Sequence, residues 1–319
     1  MTADDRIRTV GEQAALARII ARLTPADAAV VGPGDDSAVL AAGGQTAITT
    51  DTMFEGGDFR LDWSTFADLG TKCVTTNLTD VAAMGARPTA LVIALGVLAD
   101  TTVEQLEQFA DAASAALAKQ APGVGVVGGD LSVSPTTTIA VTALGDLEGR
   151  SPVLRSGARP GDAIVVCGEL GLAGEGLRLL LEGTPPDDLR RTHPREMQAH
   201  LAPIAPVAAG AQLARLGATS MLDVSDGLVL DGFRVARASA VRLDFDRAAL
   251  DSYDAPLESV LYGGEDHALL ATVPADAVER VLSELGSDAR VVGSVEAGEP
   301  QVTTGGQPLE ERGWDPFTR

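Results

Sequence analysis

Helix-length and strand-length apolar patterns alternate along this chain from end to end, and that alternation restricts it to layered architectures mixing α-helices with β-sheet. Arg8 to Leu23 carries apolar residues at Val10, Ala14, Ala17 and Ile20, near a 3.6-residue period, with Pro25 just beyond. Short apolar runs follow at Val30 to Val31, Ala38 to Leu40 and Ala47 to Thr50, each bounded by Gly or Asp, and read as strands. Ser64 is the expected cap of a helix running to about Met84, which Gly85 closes, and Thr89 to Val97 then reads as a buried strand. A second amphipathic helix from Thr101 or Thr102 to Lys119 precedes strands at Val124 to Val127 and Thr137 to Leu144. The mixture recurs later. Strands are expected at Ala163 to Cys167, near Met221, at Val241 to Phe245 and at Ala268 to Val273, and helices at Leu172 to Leu181, Pro203 to Leu216 and Leu228 to Ala238.

At 319 residues the chain is long enough for two domains. Between Asp146 and Asp162 it turns rich in Arg, Ser, Gly and Pro, the composition of a linker, which divides it into residues 1–148 and 149–319.

Several classes of function are excluded. The formal net charge is -21 and the only lysines are Lys72 and Lys119, so no basic face exists for nucleic acid. No apolar run reaches the length of a membrane span, and Met1 to Arg8 is polar rather than a signal peptide, so a cytoplasmic protein is expected. Cys73 and Cys167 lie far apart and suit neither a disulfide framework nor a zinc site. His193, His200 and His267 have no metal-ligand spacing and are read as structural or exposed. No G-x-x-x-x-G-K-[ST] loop or protein-kinase motif set occurs.

Six acidic motifs stand at expected turns or strand ends: Gly34-Asp35-Asp36, Thr50-Asp51-Thr52, Asn77-Leu78-Thr79-Asp80, Gly128-Gly129-Asp130, Asp223-Val224-Ser225-Asp226-Gly227 and Gly263-Gly264-Glu265-Asp266. Any one alone reads as an ordinary turn, since Asp and Gly are turn residues. Six together suit magnesium, which is held by one or two carboxylates plus water and substrate phosphates. If the acids converge they need cations, because two like charges about 4 Å apart repel by roughly 4 kcal/mol at an effective dielectric near 20. Gly128 and Gly129 would let backbone N–H groups approach a phosphate. Asp226 or Ser225 is open to two readings, as the cap of a following helix or as a ligand. Arg155 reads from its own segment as a solvated linker arginine, although its planar fork also suits a phosphate. Trp314 either stacks on a heterocycle or packs the C-terminus.

Taken in order, Gly32-Pro33-Gly34-Asp35-Asp36, Thr50-Asp51-Thr52, Asn77 to Gly85, Gly128-Gly129-Asp130, Asp223 to Gly227 and Gly263-Gly264-Glu265-Asp266 closely resemble the thiamine-monophosphate kinase family, from about residue 30 to the C-terminus. That family groups with aminoimidazole-ribonucleotide synthetase. The resemblance implies an α/β (α+β mixed) fold of two domains, with the N-terminal ATP-binding and magnesium-binding sheet pairing into a barrel across a homodimer and an α/β C-terminal domain. It implies ATP-dependent phosphorylation of thiamine monophosphate to thiamine diphosphate by direct in-line transfer. Carried over by motif, Asp36, Thr49, Thr50, Asp51, Asp80, Asp130, Asp223 and Asp226 would hold magnesium ions, with Asp51, Asp130 and Asp223 central to catalysis. Gly129, Arg155 and Ser225 would contact ATP, and Asp58, Glu265 and Trp314 the acceptor. For Arg155 the resemblance reverses the linker reading. At Asp58 the family commonly has histidine.

Two rivals stand beside this reading. One is another ATP-dependent enzyme of the same superfamily with a different acceptor; the other is a non-catalytic acidic metal-binding module. No Asp-x-Asp-x-Asp-Gly loop with a glutamate at the twelfth position supports the latter.

Overall fold

The computed structural model describes residues 6–31, 33, 38–41 and 43–314. The chain divides into two compact units, one of residues 1–81 and 87–149, the other of residues 82–86 and 150–319.

The first unit carries α1 (Ile7–Val10), α2 (Glu12–Ile20), β1 (Ala29–Val31), β2 (Val39–Leu40), β3 (Thr46–Phe54), α3 (Phe66–Ala83, whose last residues fall in the second unit), β4 (Arg87–Val97), α4 (Val103–Gln120), β5 (Gly125–Val133) and β6 (Thr138–Asp146). The first expected helix is two, because Gly11 has a φ of +83°, where the chain turns out of the α region. Capping of α3 also differs from expectation. Thr65, not Ser64, closes the box: its hydroxyl accepts from the Asp68 N–H (3.2 Å) while the Asp68 carboxylate accepts from the Thr65 N–H (2.7 Å). Thr102 and Gln105 form the same device on α4.

A four-stranded sheet in the order β3-β6-β4-β5 is the frame of this unit. The β4-β5 pair is parallel and is joined by α4, while β3-β6 and β4-β6 are antiparallel. Residues of β6 alternate strictly between buried and half-exposed, so one face carries a core and the other does not. Leu69, Cys73 and Leu78 of α3, with Leu106 and Leu117 of α4, are fully buried. The sheet is open, with β3 and β5 at its edges.

The second unit is built on a seven-stranded sheet in the order β13-β12-β9-β11-β7-β10-β8. Its elements are β7 (Ala163–Cys167), α5 (Leu172–Leu181), α6 (Pro186–Thr192), α7 (Pro194–Leu201), α8 (Val207–Leu216), β8 (Ser220–Val224), α9 (Leu228–Ser239), β9 (Arg242–Phe245), α10 (Arg247–Leu250), α11 (Leu257–Tyr262), β10 (Ala268–Val273), α12 (Val278–Leu285), β11 (Ala289–Glu296), β12 (Gln301–Thr304) and β13 (Gln307–Pro308). Strand β10 lies between β7 and β8, antiparallel to both, with Leu269 opposite Cys167 on one side and Asp223 on the other. Strands β7, β8 and β10 are almost wholly buried, and Ile164, Val166, Leu222, Val224 and Leu270 share one core with Phe233 of α9 and Phe245 of β9. The helix expected from Pro203 begins only at Val207, since Pro206 cannot sit inside it. Among the described residues no helix is long and apolar enough to cross a membrane.

Candidate active site

Three of the acidic motifs lie inside regular elements rather than at turns. Thr50-Asp51-Thr52 is part of β3, which runs on to Phe54; Asn77 to Asp80 lies within α3; and Gly128-Gly129-Asp130 lies within β5, which runs on to Val133. The expectation placed them at joints because Gly and Asp are rare in strands, although Asn77 to Asp80 also falls within the helix expected from Ser64 to about Met84, which the structure bears out. Here backbone pairing overrides that preference.

In the first unit the Thr49 hydroxyl donates to Asp80 Oδ2 (2.8 Å), so the acid of α3 reaches across to β3. Asp51, two residues on, projects to the same face as Thr49, whereas the Thr50 hydroxyl donates to the Val141 carbonyl of β6 (2.8 Å). At the opposite edge, on β5, Asp130 pairs in register with Ala94 and accepts from the Ser132 hydroxyl (2.6 Å). Strands β6 and β4 stand between β3 and β5, so the backbones of Asp51 and Asp130 are roughly 14 Å apart. Gly129 has a packing reason to lack a side chain, because a Cβ there would fall 1.9 Å from the Ile93 carbonyl oxygen, whereas at Gly128 the same atom would meet open space. An apolar pocket of about 370 Å³, lined by Ile19, Ile20, Phe109, Ala113 and Val127, opens beside Gly128, Gly129 and Asp130. Asp58 ties its own turn, its carboxylate accepting from the Phe54 N–H (2.7 Å). Asp36 lies outside the described residues.

In the second unit three distant segments are stitched together by main-chain hydrogen bonds. The Glu265 N–H donates to the Ser225 carbonyl (2.8 Å), the His267 N–H to that of Val224 (2.8 Å), and the Trp314 N–H to that of Asp226 (2.9 Å). Asp223, Ser225, Asp226, Glu265 and Trp314 are thereby gathered at one end of β8. The capping reading of Asp226 and Ser225 does not hold. Gly227 occupies the cap position of α9, and the Asp226 carboxylate instead pairs with Arg234 (2.6 Å). Asp231, fully buried, accepts from the N–H groups of Ser225 (3.1 Å) and Asp226 (3.0 Å) and pairs with Arg234 as well. Burial, against the attraction of Arg234, pushes Asp231 up to about 7. Asp266 accepts from the N–H groups of Gly171 (2.7 Å) and Ala173 (3.2 Å) at the start of α5, and desolvation raises it also to about 7. Arg155 is exposed on the segment before β7, its carbonyl taken by the Ser239 hydroxyl (2.9 Å).

Sequence reasoning missed His267. It is buried, with Nδ1 3.7 Å from Asp223 Oδ2 and Nε2 3.5 Å from Glu265 Oε2. Burial disfavours its charged form, but the two carboxylates outweigh that and raise it to about 9. The only available signal was its place immediately after Glu265-Asp266, and spacing rules for metal ligands do not test for a histidine that serves carboxylates.

Among the described residues no three His, Cys, Asp or Glu side chains form a closed metal cage. The donors present still fit magnesium: they are hard oxygens of Thr and Asp, and magnesium commonly keeps water and substrate phosphate in most of its positions.

Residues 34–147 match the family model "AIR synthase related protein, N-terminal domain", and residues 159–305 match "AIR synthase related protein, C-terminal domain". Fold and sequence together thus define a two-domain AIR-synthase-related α/β protein. A thiamine-monophosphate kinase of Mycobacterium tuberculosis (strain ATCC 25618 / H37Rv) is 40% identical over 284 residues, covering 85% of this chain and 83% of its own. The crystal structure of thiamine-monophosphate kinase from Stenotrophomonas maltophilia K279a superposes with a TM-score of 0.77 at 30% identity, covering 93% of this chain and 96% of that one. AaThiL complexed with AMPPCP and TMP superposes with a TM-score of 0.71 at 28% identity, over 98% of this chain and 99% of that one. The chain belongs to the thiamine-monophosphate kinase family.

Proposed function

We propose that this protein transfers the γ-phosphoryl group of ATP to the phosphate of thiamine monophosphate, yielding ADP and thiamine diphosphate. The observation that carries the reading is the likeness, over nearly the whole chain, to AaThiL complexed with AMPPCP and TMP. Transfer is direct and in line. An acceptor phosphate oxygen forms the new bond to the γ-phosphorus as the bond to the bridging β,γ oxygen breaks, and the electron pair leaves with ADP. The acceptor is already an anion, so little general-base help is needed; alignment and charge neutralisation dominate.

Magnesium ions held on Asp36, Thr49, Thr50, Asp51, Asp80, Asp130, Asp223 and Asp226 would neutralise the phosphate charge. Asp51, Asp130 and Asp223 would be central among these ligands. The backbone of Gly129, the guanidinium of Arg155 and the hydroxyl of Ser225 bind ATP. The apolar pocket beside Gly128 and Gly129 is suited to the base. Glu265 and Trp314 receive the acceptor, the carboxylate facing the cationic thiazolium and the indole offering a stacking face. Asp58 would also contact the acceptor.

A homodimer with the N-terminal sheets closed into a barrel is part of this reading. It is supported by the half-exposed sheet face, by the exposed Ile48 and Phe54 on edge strand β3, and by the placement of Asp51 and Asp130 on opposite edges. A cytoplasmic location accords with a cytosolic supply of ATP.

The test is to incubate the protein with magnesium, ATP and thiamine monophosphate and to quantify ADP and thiamine diphosphate by chromatography. Equimolar products, abolished in Asp51→Asn, are expected. ATP turnover without thiamine diphosphate would discard the acceptor, and neither nucleotide binding nor turnover would discard the kinase.

A further inference from the structure

Resting on the acceptor reading above, we infer that His267 is a positioning residue that couples the carboxylate of Asp223 at the magnesium end to the carboxylate of Glu265 at the acceptor end.

Its ring stands between those two groups, presenting Nδ1 to Asp223 (3.7 Å) and Nε2 to Glu265 (3.5 Å), and neither nitrogen has a hydrogen-bond partner at these separations. An imidazole buried to 4% exposure with a carboxylate facing each nitrogen does more than fill space, since an apolar ring would fill the same volume and offer neither carboxylate a charge. The backbone is held in an equally specific way. Glu265 and His267 have φ angles of +71° and +52°, the left-handed region that non-glycine residues seldom occupy. Such conformations persist where surrounding contacts over-determine them, and here the N–H groups of both residues are fixed on the carbonyls of Ser225 and Val224. The ring is thus locked over the end of β8. The charged groups facing it are those two carboxylates, with Asp266 adjacent in sequence but turned to the N–H groups of Gly171 and Ala173. A nitrogen on each side of one rigid ring orients both acids at once, so the metal-side and acceptor-side groups do not move independently. Tightening at one of them on substrate binding is transmitted to the other through about one ring width.

The experiment is steady-state kinetics on His267→Asn and His267→Gln, varying thiamine monophosphate at saturating magnesium and ATP, combined with Glu265→Gln in a double-mutant cycle. Asn is the variant best suited to the positive φ, and melting curves confirm that each protein is folded. The expected result is a fall in kcat/KM of roughly 10- to 100-fold, the range for groups that support metal ligands, with KM for the acceptor raised and kcat lowered together. Glu265→Gln should also cost several-fold less in the His267→Asn background than in the wild type. A folded variant whose kcat/KM stays within about threefold of wild type overturns the inference, as does a Glu265→Gln effect of equal size in both backgrounds. Absence of thiamine diphosphate with the wild-type protein overturns the functional reading itself, and is seen before any variant is made.

Discussion

Asp231 offers the sharpest test of how the turn after β8 is held. Its carboxylate, fully buried, accepts from the N–H groups of Ser225 and Asp226 and faces Arg234. Because burial raises it from 3.8 to about 7, ionising it in the folded state at pH 8 opposes folding by about 4 kcal/mol. Asp231→Asn removes that opposition, in which the attraction of Arg234 is already counted, and retains a carbonyl acceptor, so at pH 8 it should be more stable than wild type by up to about 4 kcal/mol. Asp231→Ala removes the same opposition but leaves two backbone N–H groups unpaired at about 1–3 kcal/mol each, so it should be less stable than Asp231→Asn by about 2–6 kcal/mol. Urea unfolding followed by circular dichroism measures both. The pH dependence has a definite sign. With its folded value above the unfolded one, Asp231 contributes stability that is complete below about 3.8 and is lost as pH rises through about 7. Wild type should therefore gain on Asp231→Asn as the pH is lowered from 8 to 5. Equal stability of the Asn and Ala variants at pH 8, or a difference between wild type and Asp231→Asn that does not change with pH, would refute the account.

Gly129→Ala should destabilise the first unit by at least about 2 kcal/mol and weaken AMPPCP binding in calorimetry, because the new methyl meets a strand carbonyl that cannot retreat without opening the β4-β5 ladder. Gly128→Ala, facing open space, should unfold at nearly the wild-type urea concentration. Thr49→Val deletes the donor that orients Asp80, and the magnesium concentration for half-maximal activity should rise roughly tenfold or more while the melting temperature stays close to wild type.

Much of the fold was legible because it rests on periodicity. Strands at Ala163 to Cys167 and Ala268 to Val273 and the helix at Leu172 to Leu181 are bounded by Gly, Asp or Pro, whose local conformational demands are strong. The short α6 and α7 and the strands after residue 288 were not anticipated. Of these, α6, α7, β12 and β13 are brief or polar, and tertiary pairing rather than local preference forms them, whereas β11 carries Val291, Val292 and Val295, an apolar pattern that the sequence did offer. At the site, the resemblance singled out the acids on which the proposed function rests, and periodicity placed Asn77 to Asp80 within a helix, while residue preference could not see the strand pairing that carries β3 past Asp51 and β5 past Gly129. Arg234 and His267 were invisible for another reason. Each acquires its role from side chains that only the folded chain brings close, Asp226 and Asp231 for the one, Asp223 and Glu265 for the other.

Because Gly128, Gly129 and Asp130 are part of a paired strand, the backbone proposed to receive a polyphosphate is already ordered when the ligand arrives. A mobile glycine-rich loop would surrender roughly 1–2 kcal/mol of conformational entropy per residue at the moment of binding; here that loss belongs to folding. Nucleotide association at this strand should accordingly be fast and need little rearrangement, and the amides of residues 128–130 that pair with β4 should resist hydrogen exchange even in the ligand-free protein.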